Sequence, residues 1–172
     1  ETMHIAVIGA GAFGGWTALH LLRRGHRVTM LDTWGPGNSR SSSGGETRVL
    51  RGSYGPKGIY TEMVARSLPM WRENEQKWNT KLFRRTGALW IASDDDAWER
   101  ASLDQLRNAG LPVEVLERSE LEKRYPQINW EGLRWAILES EAGYLLSRRS
   151  CREVWEGFMA EVGEYKELAA KP

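Results

Sequence analysis

The amino end of the chain carries a glycine pattern whose spacing suits the binding of a pyrophosphate. Residues 9–14 read Gly-Ala-Gly-Ala-Phe-Gly, a G-x-G-x-x-G motif between a short apolar run and an amphipathic segment. In such a motif the first glycine permits a tight turn, the second lets a phosphate approach the backbone, and the third lets helix and strand pack closely. The helix that follows offers free N–H groups and the positive end of its dipole. The candidate binding residues are Gly9, Gly11, Ala12, Phe13 and Gly14.

An acidic residue stands where the ribose of a dinucleotide is bound. Asp32 ends the second apolar run, and a carboxylate at this point accepts hydrogen bonds from a ribose hydroxyl. The same carboxylate disfavours a 2′-phosphate, so NADP is the least favoured dinucleotide. The motif and Asp32 together predict dinucleotide binding without separating FAD from NAD. The alternative is a glycine turn with only a structural role.

Two arginines follow a loop rich in serine and glycine. Arg48 and Arg51 come shortly after residues 41–45, which read Ser-Ser-Ser-Gly-Gly. A guanidinium matches a substrate carboxylate in a bidentate fork, and a fixed cation favours a reduced, anionic flavin. In a helical turn, residues at the spacing of these two arginines share a face. The alternative is that each arginine forms an exposed ion pair, which contributes under about 1 kcal/mol to stability.

The elements that position these residues form a βαβ unit. The apolar run His4–Ile8 predicts a strand buried on both faces. A helix is predicted from Ala12 to Arg24, and a second strand over Val28–Leu31. A right-handed crossover makes the two strands parallel and adjacent. Residues 33–46 contain almost no apolar side chains and predict a loop.

The remainder of the chain predicts alternating helices and strands. A long helix is expected from Tyr60 to Trp78, kinked or split at Pro69. Its predicted buried positions are Met63, Val64, Leu68, Trp71 and Trp78. The other predicted strands begin near residues 88, 113, 134, 143 and 165, and the other helices span 94–109, a short segment before Pro126, and 147–162.

Three features of these later helices are interpreted as caps. Ser119 and Glu122 have the spacing of a capping box, and Ser147 is expected to cap the last helix. The acidic run Asp94–Asp96 lacks the glycine and distal glutamate of a calcium loop, so helix capping is the better interpretation.

Composition and charge exclude several classes of function. The 172 residues carry 24 Lys+Arg against 23 Asp+Glu, a balance that argues against a nucleic-acid binder and a polybasic membrane-surface protein. The single cysteine, Cys151, rules out an intramolecular disulfide framework and a zinc site built on cysteines. The sequence shows neither a secretory signal nor an apolar stretch of transmembrane length. Together these features favour the cytoplasm.

The segment 41–55 resembles the flavin-contacting region of the D-amino acid oxidase superfamily of FAD-dependent oxidoreductases. It is most similar to the branch of monomeric sarcosine oxidase and N-methyltryptophan oxidase, in which a serine-rich Gly-acid-Thr-Arg-x-x-Arg stretch follows the second strand. Further matches lie at residues 86–89, 124–126 and 141–145. The resemblance covers essentially the whole chain, but only the first part, somewhat under half, of a family member.

The resemblance implies an α/β fold in which a Rossmann-like FAD-binding βαβ domain is interleaved with part of an antiparallel-sheet substrate domain. Residues 1–58 are expected to form the first part of the FAD-binding domain, 59–146 a portion of the substrate domain, and 147–172 the return to the FAD-binding domain. A final strand begins near Tyr165 and no closing element follows it. The chain is therefore expected to be the amino-terminal part of a longer protein and to be inactive alone.

The resemblance also implies the activity: FAD-dependent oxidation of the C–N bond of a secondary amine or amino acid to an imine. Its small-molecule substrate and the missing carboxy-terminal portion of the same protein are the expected partners, without nucleic acid or membrane. Cys151 does not match the cysteine that some members link to flavin, and Gly44 stands where relatives often carry histidine. The resemblance adds Ser42, Ser43, Gly44, Thr47 and Arg48 to the candidate FAD contacts.

The resemblance assigns catalytic roles to the two arginines. The arginine that matches Arg48 lies near the flavin ring in the related enzymes, and the one that matches Arg51 binds the substrate carboxylate. Two other interpretations stay open, an NAD-dependent Rossmann dehydrogenase and a nucleotide-binding module without catalysis. A yellow chromophore in the purified protein distinguishes a flavoprotein from both.

Overall fold

The computed structural model describes residues 1–168, and the chain divides into two compact units. Unit 1 contains Glu1–Arg48, Trp78–Leu82 and the described residues from Leu145 onward, and unit 2 contains Val49–Lys77 and Phe83–Tyr144. The last residues of the predicted segment 147–172 lie outside the described residues.

Helices separate single strands or pairs of strands along the described chain. The strands are β1 (His4–Ile8), β2 (Arg27–Asp32), β3 (Thr47–Leu50), β4 (Phe83–Arg84), β5 (Ala88–Ala92), β6 (Val113–Glu117), β7 (Trp135–Glu139), β8 (Gly143–Leu146) and β9 (Glu164–Glu167). The helices are α1 (Ala12–Arg23), α2 (Gly58–Lys77), α3 (Ala97–Asn108), α4 (Arg118–Arg124) and α5 (Ser147–Ala160).

A parallel sheet organises unit 1. Its strand order is β1-β2-β9, with Val7 opposite Met30 and Met30 opposite Tyr165. Helices α1 and α5 pack together, and the fully buried Leu19, Met30 and Phe158 belong to the core cluster of this unit. The predicted parallel pairing of the first two strands is confirmed, and so is a strand near Tyr165.

The predicted burial of β1 is wrong. Only Val7 of this strand is buried, and Ile8 is 63% exposed. The reason is that β1 lies at an edge of its sheet within the described chain. A buried-looking apolar run therefore lacks the neighbour that would cover it.

An antiparallel sheet organises unit 2. Its strand order is β5-β7-β6, with Trp90 opposite Ile137 and Ile137 opposite Val115. Ile137 and Leu106 are fully buried in one core cluster of this sheet and α3. A third sheet has the order β3-β8-β4. Parallel and antiparallel sheets with intervening helices confirm the predicted mixed α/β class.

Helix α2 departs from its prediction in two respects. It is continuous from Gly58 to Lys77 through Pro69, so of the two outcomes predicted at this proline, a kink or a split, the split is wrong. Met63 is 59% exposed although it was expected to be buried, because the buried face is formed by Val64, Leu68 and Trp71.

The predicted side-chain caps are also wrong. Helix α4 begins at Arg118, which places Ser119 inside the helix. Ser147 is the first residue of α5 rather than its cap, and its hydroxyl donates to the carbonyl of Ser43 at 2.8 Å. Asp96 precedes α3 without a side-chain capping bond. Its carboxylate accepts instead from Trp135 Nε1–H at 2.9 Å and pairs with Arg100.

Candidate functional site

The glycine turn between β1 and α1 is constrained at both ends by the protein itself. Gly9 has φ +103°, a conformation that L side chains rarely adopt, and its N–H donates to the carbonyl of Leu31 at 2.7 Å. A Cβ atom at Gly14 would collide with the carbonyl oxygen of Gly9. Backbone conformation therefore requires the first glycine, and packing requires the third.

Gly11 has neither requirement. Its backbone is extended, with φ −77° and ψ −168°, and a Cβ atom built there meets only Ser43 Oγ at 4.0 Å. The protein leaves the space beside this backbone open. Neither backbone conformation nor packing explains a glycine at position 11. A ligand that approaches the backbone closely does explain it.

The amino terminus of α1 is suited to an anion. The first turn contains no acidic residue, and Gly11 provides no side-chain cap. Ala12 N–H points toward Ser43 Oγ at a long 3.4 Å, and Phe13 is 89% exposed. Unpaired N–H groups and the helix dipole together favour phosphate oxygens. The residues present thus fit the pyrophosphate of a dinucleotide.

Asp32 is held beside this turn by two backbone groups. Its Oδ2 accepts from Ala10 N–H and its Oδ1 from Trp34 N–H, each at 2.8 Å. A carboxylate has about four acceptor positions, so lone pairs remain for ribose hydroxyls. The carboxylate that the sequence singled out lies next to the glycine turn.

The serine and glycine loop reaches the same helix end. Ser43 lies against Gly11 and Ala12, as described above, and Gly44 N–H donates to Ser41 O at 2.9 Å. A Cβ atom at Gly44 would come within 2.6 Å of the Asn38 carbonyl oxygen. Glycine at this position therefore has a packing reason, because a larger residue would displace the loop.

Arg48 is fixed to this loop by carbonyl groups. Its Nη1–H donates to Thr47 O at 3.0 Å and its Nη2–H to Ser42 O at 2.5 Å. Its guanidinium also lies where a Cβ atom of Gly45 would be. Within residues 1–168 it forms no salt bridge, so the alternative of an exposed ion pair does not describe it. The structure holds an exposed cation in β3 against the loop that contacts the α1 terminus.

The predicted helical turn carrying both arginines is wrong. Thr47–Leu50 is strand β3, and Arg51 follows it directly. The helical spacing on which a shared face was predicted does not apply to a strand. The segment is extended because β3 pairs with β8, a partner that is remote in the sequence.

Arg51 lies in unit 2 between two aromatic rings. Its guanidinium carbon is 4.5 Å from the ring centroid of Tyr54 and 4.9 Å from that of Trp90, and its Nη1–H donates to Ser53 O. It too forms no salt bridge within the described chain. Cation–π contacts orient the guanidinium without neutralising its charge. The arrangement leaves a partly buried cation that can bind a carboxylate.

Sequence reasoning missed Glu139 and the role of Trp90. Glu139 is 4% exposed and accepts hydrogen bonds from the segment that follows Arg51. The available signal was an acidic residue ending an apolar strand, the same pattern that marked Asp32.

Cys151 is buried and unsuited to reaction. Burial raises the pKa of its thiol, and a hydrogen bond with Ser43 acts in the opposite direction. A thiol kept protonated is a poor nucleophile. This environment agrees with a structural role for Cys151.

Comparison with known proteins decides the family. The sequence model of the DAO family, described as FAD dependent oxidoreductase, matches residues 4–168. The chain belongs to this family. FAD is accordingly the cofactor of this DAO-family chain, and the open choice between FAD and NAD is decided in favour of FAD.

The curated relatives of this DAO-family chain include oxidases of N-methyl amino acids. Monomeric sarcosine oxidase of Arthrobacter sp. (strain TE1826) is 30% identical over 165 residues, which are 94% of this chain and 42% of that protein. N-methyl-L-tryptophan oxidase of Yersinia pestis (strain Pestoides F) is 27% identical over 143 residues, 83% of this chain and 38% of that protein. The chain thus spans about two fifths of the length of these relatives.

Solved structures show the same fold at lower identity. L-proline dehydrogenase from P. horikoshii superposes with a TM-score of 0.82 at 20% identity, covering 97% of this chain and 44% of that one. Glycine oxidase from Bacillus cereus ATCC 14579 gives a TM-score of 0.69 at 19% identity, covering 97% and 46%. Within residues 1–168, no helix is both long and apolar enough to cross a bilayer.

Proposed function

We propose that the full-length protein containing this chain oxidises the C–N bond of a secondary amine or amino acid to an imine. Membership of the DAO family supports this activity, as do relatives named sarcosine oxidase and N-methyl-L-tryptophan oxidase. Bound FAD supplies the two-electron acceptor for this reaction. The imine product is then hydrolysed by water.

Unit 1 forms the first part of the Rossmann-like FAD-binding domain in this proposal, and unit 2 forms part of the substrate domain. The observation that carries the assignment is the open space at Gly11. Gly9, Gly11, Ala12, Phe13 and Gly14 would hold the pyrophosphate, and Asp32 would accept hydrogen bonds from a ribose. Ser42, Ser43, Gly44 and Thr47 complete the cofactor contacts of this unit.

The two arginines have different tasks. Arg48, held by Ser42 O and Thr47 O, would supply a fixed positive charge that favours electron uptake by the flavin. Arg51, held between Tyr54 and Trp90, binds the substrate carboxylate as a bidentate fork. Both act by position and charge, without forming a covalent bond to substrate.

The test uses the full-length protein. It is expected to purify with a yellow chromophore that N-methyl amino acids reduce under anaerobic conditions. A colourless protein contradicts the cofactor assignment. A yellow protein that no amine or amino acid reduces indicates a nucleotide-binding module without this activity.

Arg51→Lys tests the substrate site. The lysine keeps the charge but loses the fork, so the KM for an N-methyl amino acid is expected to rise about tenfold to a hundredfold. For the matched amine that lacks the carboxylate, the KM is expected to be the same in Arg51→Lys and in the parent protein. Unchanged KM for both substrates contradicts the role of Arg51.

Location in the cytoplasm stays a prediction from the sequence.

A further inference from the structure

Glu139 is a buried carboxylate that the sequence did not mark as functional. It ends β7 and is 4% exposed, and no lysine or arginine of the described chain forms a salt bridge with it. Burying an ionised carboxylate without an opposite charge is unfavourable unless hydrogen bonds replace its hydration. The groups that donate hydrogen bonds to Glu139 are therefore the groups whose positions this carboxylate fixes.

All four donors belong to residues around Arg51. Glu139 Oε2 accepts from Gly52 N–H at 2.6 Å, and its Oε1 accepts from Ser53 N–H at 3.0 Å. Oε1 also accepts from the Ser53 hydroxyl and from Trp90 Nε1–H, the latter at 2.7 Å. Gly52 and Ser53 follow Arg51 directly, and Trp90 is one of the two rings that flank its guanidinium.

The sheet brings Glu139 and Trp90 together. In the antiparallel pair of β5 and β7, Ala88 is opposite Glu139, and Trp90 is two residues further along the same face. Such diagonal neighbours are within reach of long and aromatic side chains. One carboxylate can therefore bind the indole and the loop backbone at the same time.

The loop is also fixed from its other side. Thr61 Oγ1–H donates to Gly52 O at 2.7 Å, and a Cβ atom at Gly52 would come within 2.6 Å of Leu106 Cδ2. Glu139 and Arg51 line one small cavity with Val64 and Leu68. The backbone after Arg51 thus has little freedom while Glu139 accepts these hydrogen bonds.

We propose that Glu139 is a positioning residue for Arg51. Its carboxylate fixes the Gly52-Ser53 backbone and the Trp90 indole, and these hold the guanidinium at the orientation that receives the substrate carboxylate. The proposal rests on the role of Arg51 given under Proposed function. Glu139 itself does not touch substrate.

Glu139→Gln in the full-length, FAD-loaded protein provides the first test. The amide replaces one acceptor oxygen by a donor, so it cannot accept from all four groups. Binding of acetate as a simple monocarboxylate, followed by the change in the flavin spectrum, is expected to weaken about threefold to tenfold. Glu114→Gln, the same change at an exposed carboxylate that pairs with Arg124, is the matched control and is expected to leave acetate binding unchanged.

The sign of the effect separates positioning from simple charge repulsion. Removing a negative charge near Arg51 would by itself strengthen acetate binding, whereas loss of positioning weakens it. Tighter or unchanged acetate binding in Glu139→Gln overturns the proposal.

A double-mutant cycle tests whether Glu139 acts through Arg51. If it does, Glu139→Gln has less than about a twofold further effect in the Arg51→Lys background. Equal losses in both backgrounds overturn the proposal, because they show a general structural role. If Arg51→Lys alone leaves acetate binding unchanged, the role of Arg51 is wrong and the inference fails with it. If Arg51→Lys weakens binding and Glu139→Gln does not, only the inference fails.

Trp90→Phe keeps the proposal testable if Glu139→Gln does not fold. Phenylalanine retains an aromatic face beside Arg51 and removes the Nε1–H donor to Glu139. Acetate binding is expected to weaken about twofold to threefold, with unchanged flavin content. Unchanged acetate binding in a folded Trp90→Phe protein overturns the proposal.

Discussion

At the scale of single residues, the glycines of the first turn have different physical reasons. Gly9 is required by its positive φ and Gly14 by close packing against Gly9. Gly11 has open space around the position of a Cβ atom. A substitution at Gly11 therefore separates ligand binding from folding, which a substitution at Gly14 cannot do.

Gly11→Ala is expected to weaken FAD binding by about tenfold to a hundredfold, because the added methyl group blocks the approach of the pyrophosphate to charge-assisted N–H donors. The free energy of unfolding without FAD is expected to fall by no more than about 1 kcal/mol, since the extended backbone of Gly11 is open to alanine, although alanine is a poorer N-cap than glycine. Titration of the apoprotein with FAD measures the first quantity, and urea unfolding the second. Normal FAD affinity in Gly11→Ala contradicts the assignment, whereas Gly14→Ala is expected to lose folding and FAD together.

Arg48→Lys is expected to slow anaerobic reduction of the flavin by about tenfold to a hundredfold and to lower its reduction potential. A lysine ammonium lacks the planar fork with which Arg48 binds the carbonyls of Ser42 and Thr47, so the proposed role predicts that its charge is less well fixed for flavin reduction. Stopped-flow absorbance measures the rate. Arg118→Lys, an exposed residue that pairs with Glu122, is the control. Rates within twofold of the parent protein in Arg48→Lys would leave this arginine without a role in reduction.

At the scale of elements, β9 completes the parallel sheet through side chains as well as backbone. Glu164 accepts from Thr29 Oγ1–H at 2.8 Å and from Arg27 Nη2–H at 2.7 Å on the neighbouring strand β2. The Thr29 hydroxyl first, and then Arg27, lower the pKa of the Glu164 carboxyl below its ordinary value. Ionised Glu164 therefore stabilises the pairing of β2 and β9.

The stabilisation by Glu164 has a defined pH dependence. Its folded pKa is lowered, so the contribution is present above the ordinary glutamate pKa of about 4.3 and is lost as the pH falls through the lowered value. Glu164→Gln is expected to be less stable than the parent protein near neutral pH, and the difference is expected to vanish in acid. Urea unfolding between neutral pH and about pH 2.5 measures it. Glu156→Gln, an exposed glutamate on α5, is the control; an unchanged difference across this range contradicts the prediction.

At the scale of the whole molecule, the matched region is a minor part of the curated relatives. It covers 42% of the Arthrobacter sarcosine oxidase, and β1 lies at a sheet edge with Ile8 exposed within the described chain. A large apolar side chain on an exposed strand is a surface that another segment can cover.

Residues 1–172 produced alone are expected to give no turnover with N-methyl amino acids, since the relatives are more than twice as long as the region they share with this chain. The full-length protein is the positive control in the same anaerobic flavin-reduction assay. Turnover by residues 1–172 at the rate of the full-length protein would contradict this expectation and place the whole active site within the present chain.

The features that depend on neighbours along the chain could be predicted before the fold was known. The turn at Gly9–Gly14, the helix that follows it and Asp32 at the end of β2 were all predicted at or close to their observed positions. Periodicity, turn residues and strand length act over a few residues, so these elements could be recognised without the fold.

Contacts between residues that are distant in the sequence became visible only in the fold. The fold made the Arg48 segment a strand, left most of β1 exposed, and joined Glu139 to Gly52 across 87 positions of sequence. The sequence marks a buried carboxylate no differently from an exposed one, because its hydrogen-bond donors come from loops and strands that packing brings together. For this reason the cofactor turn was predictable from the sequence, whereas the aromatic and acidic surroundings of Arg51 were not.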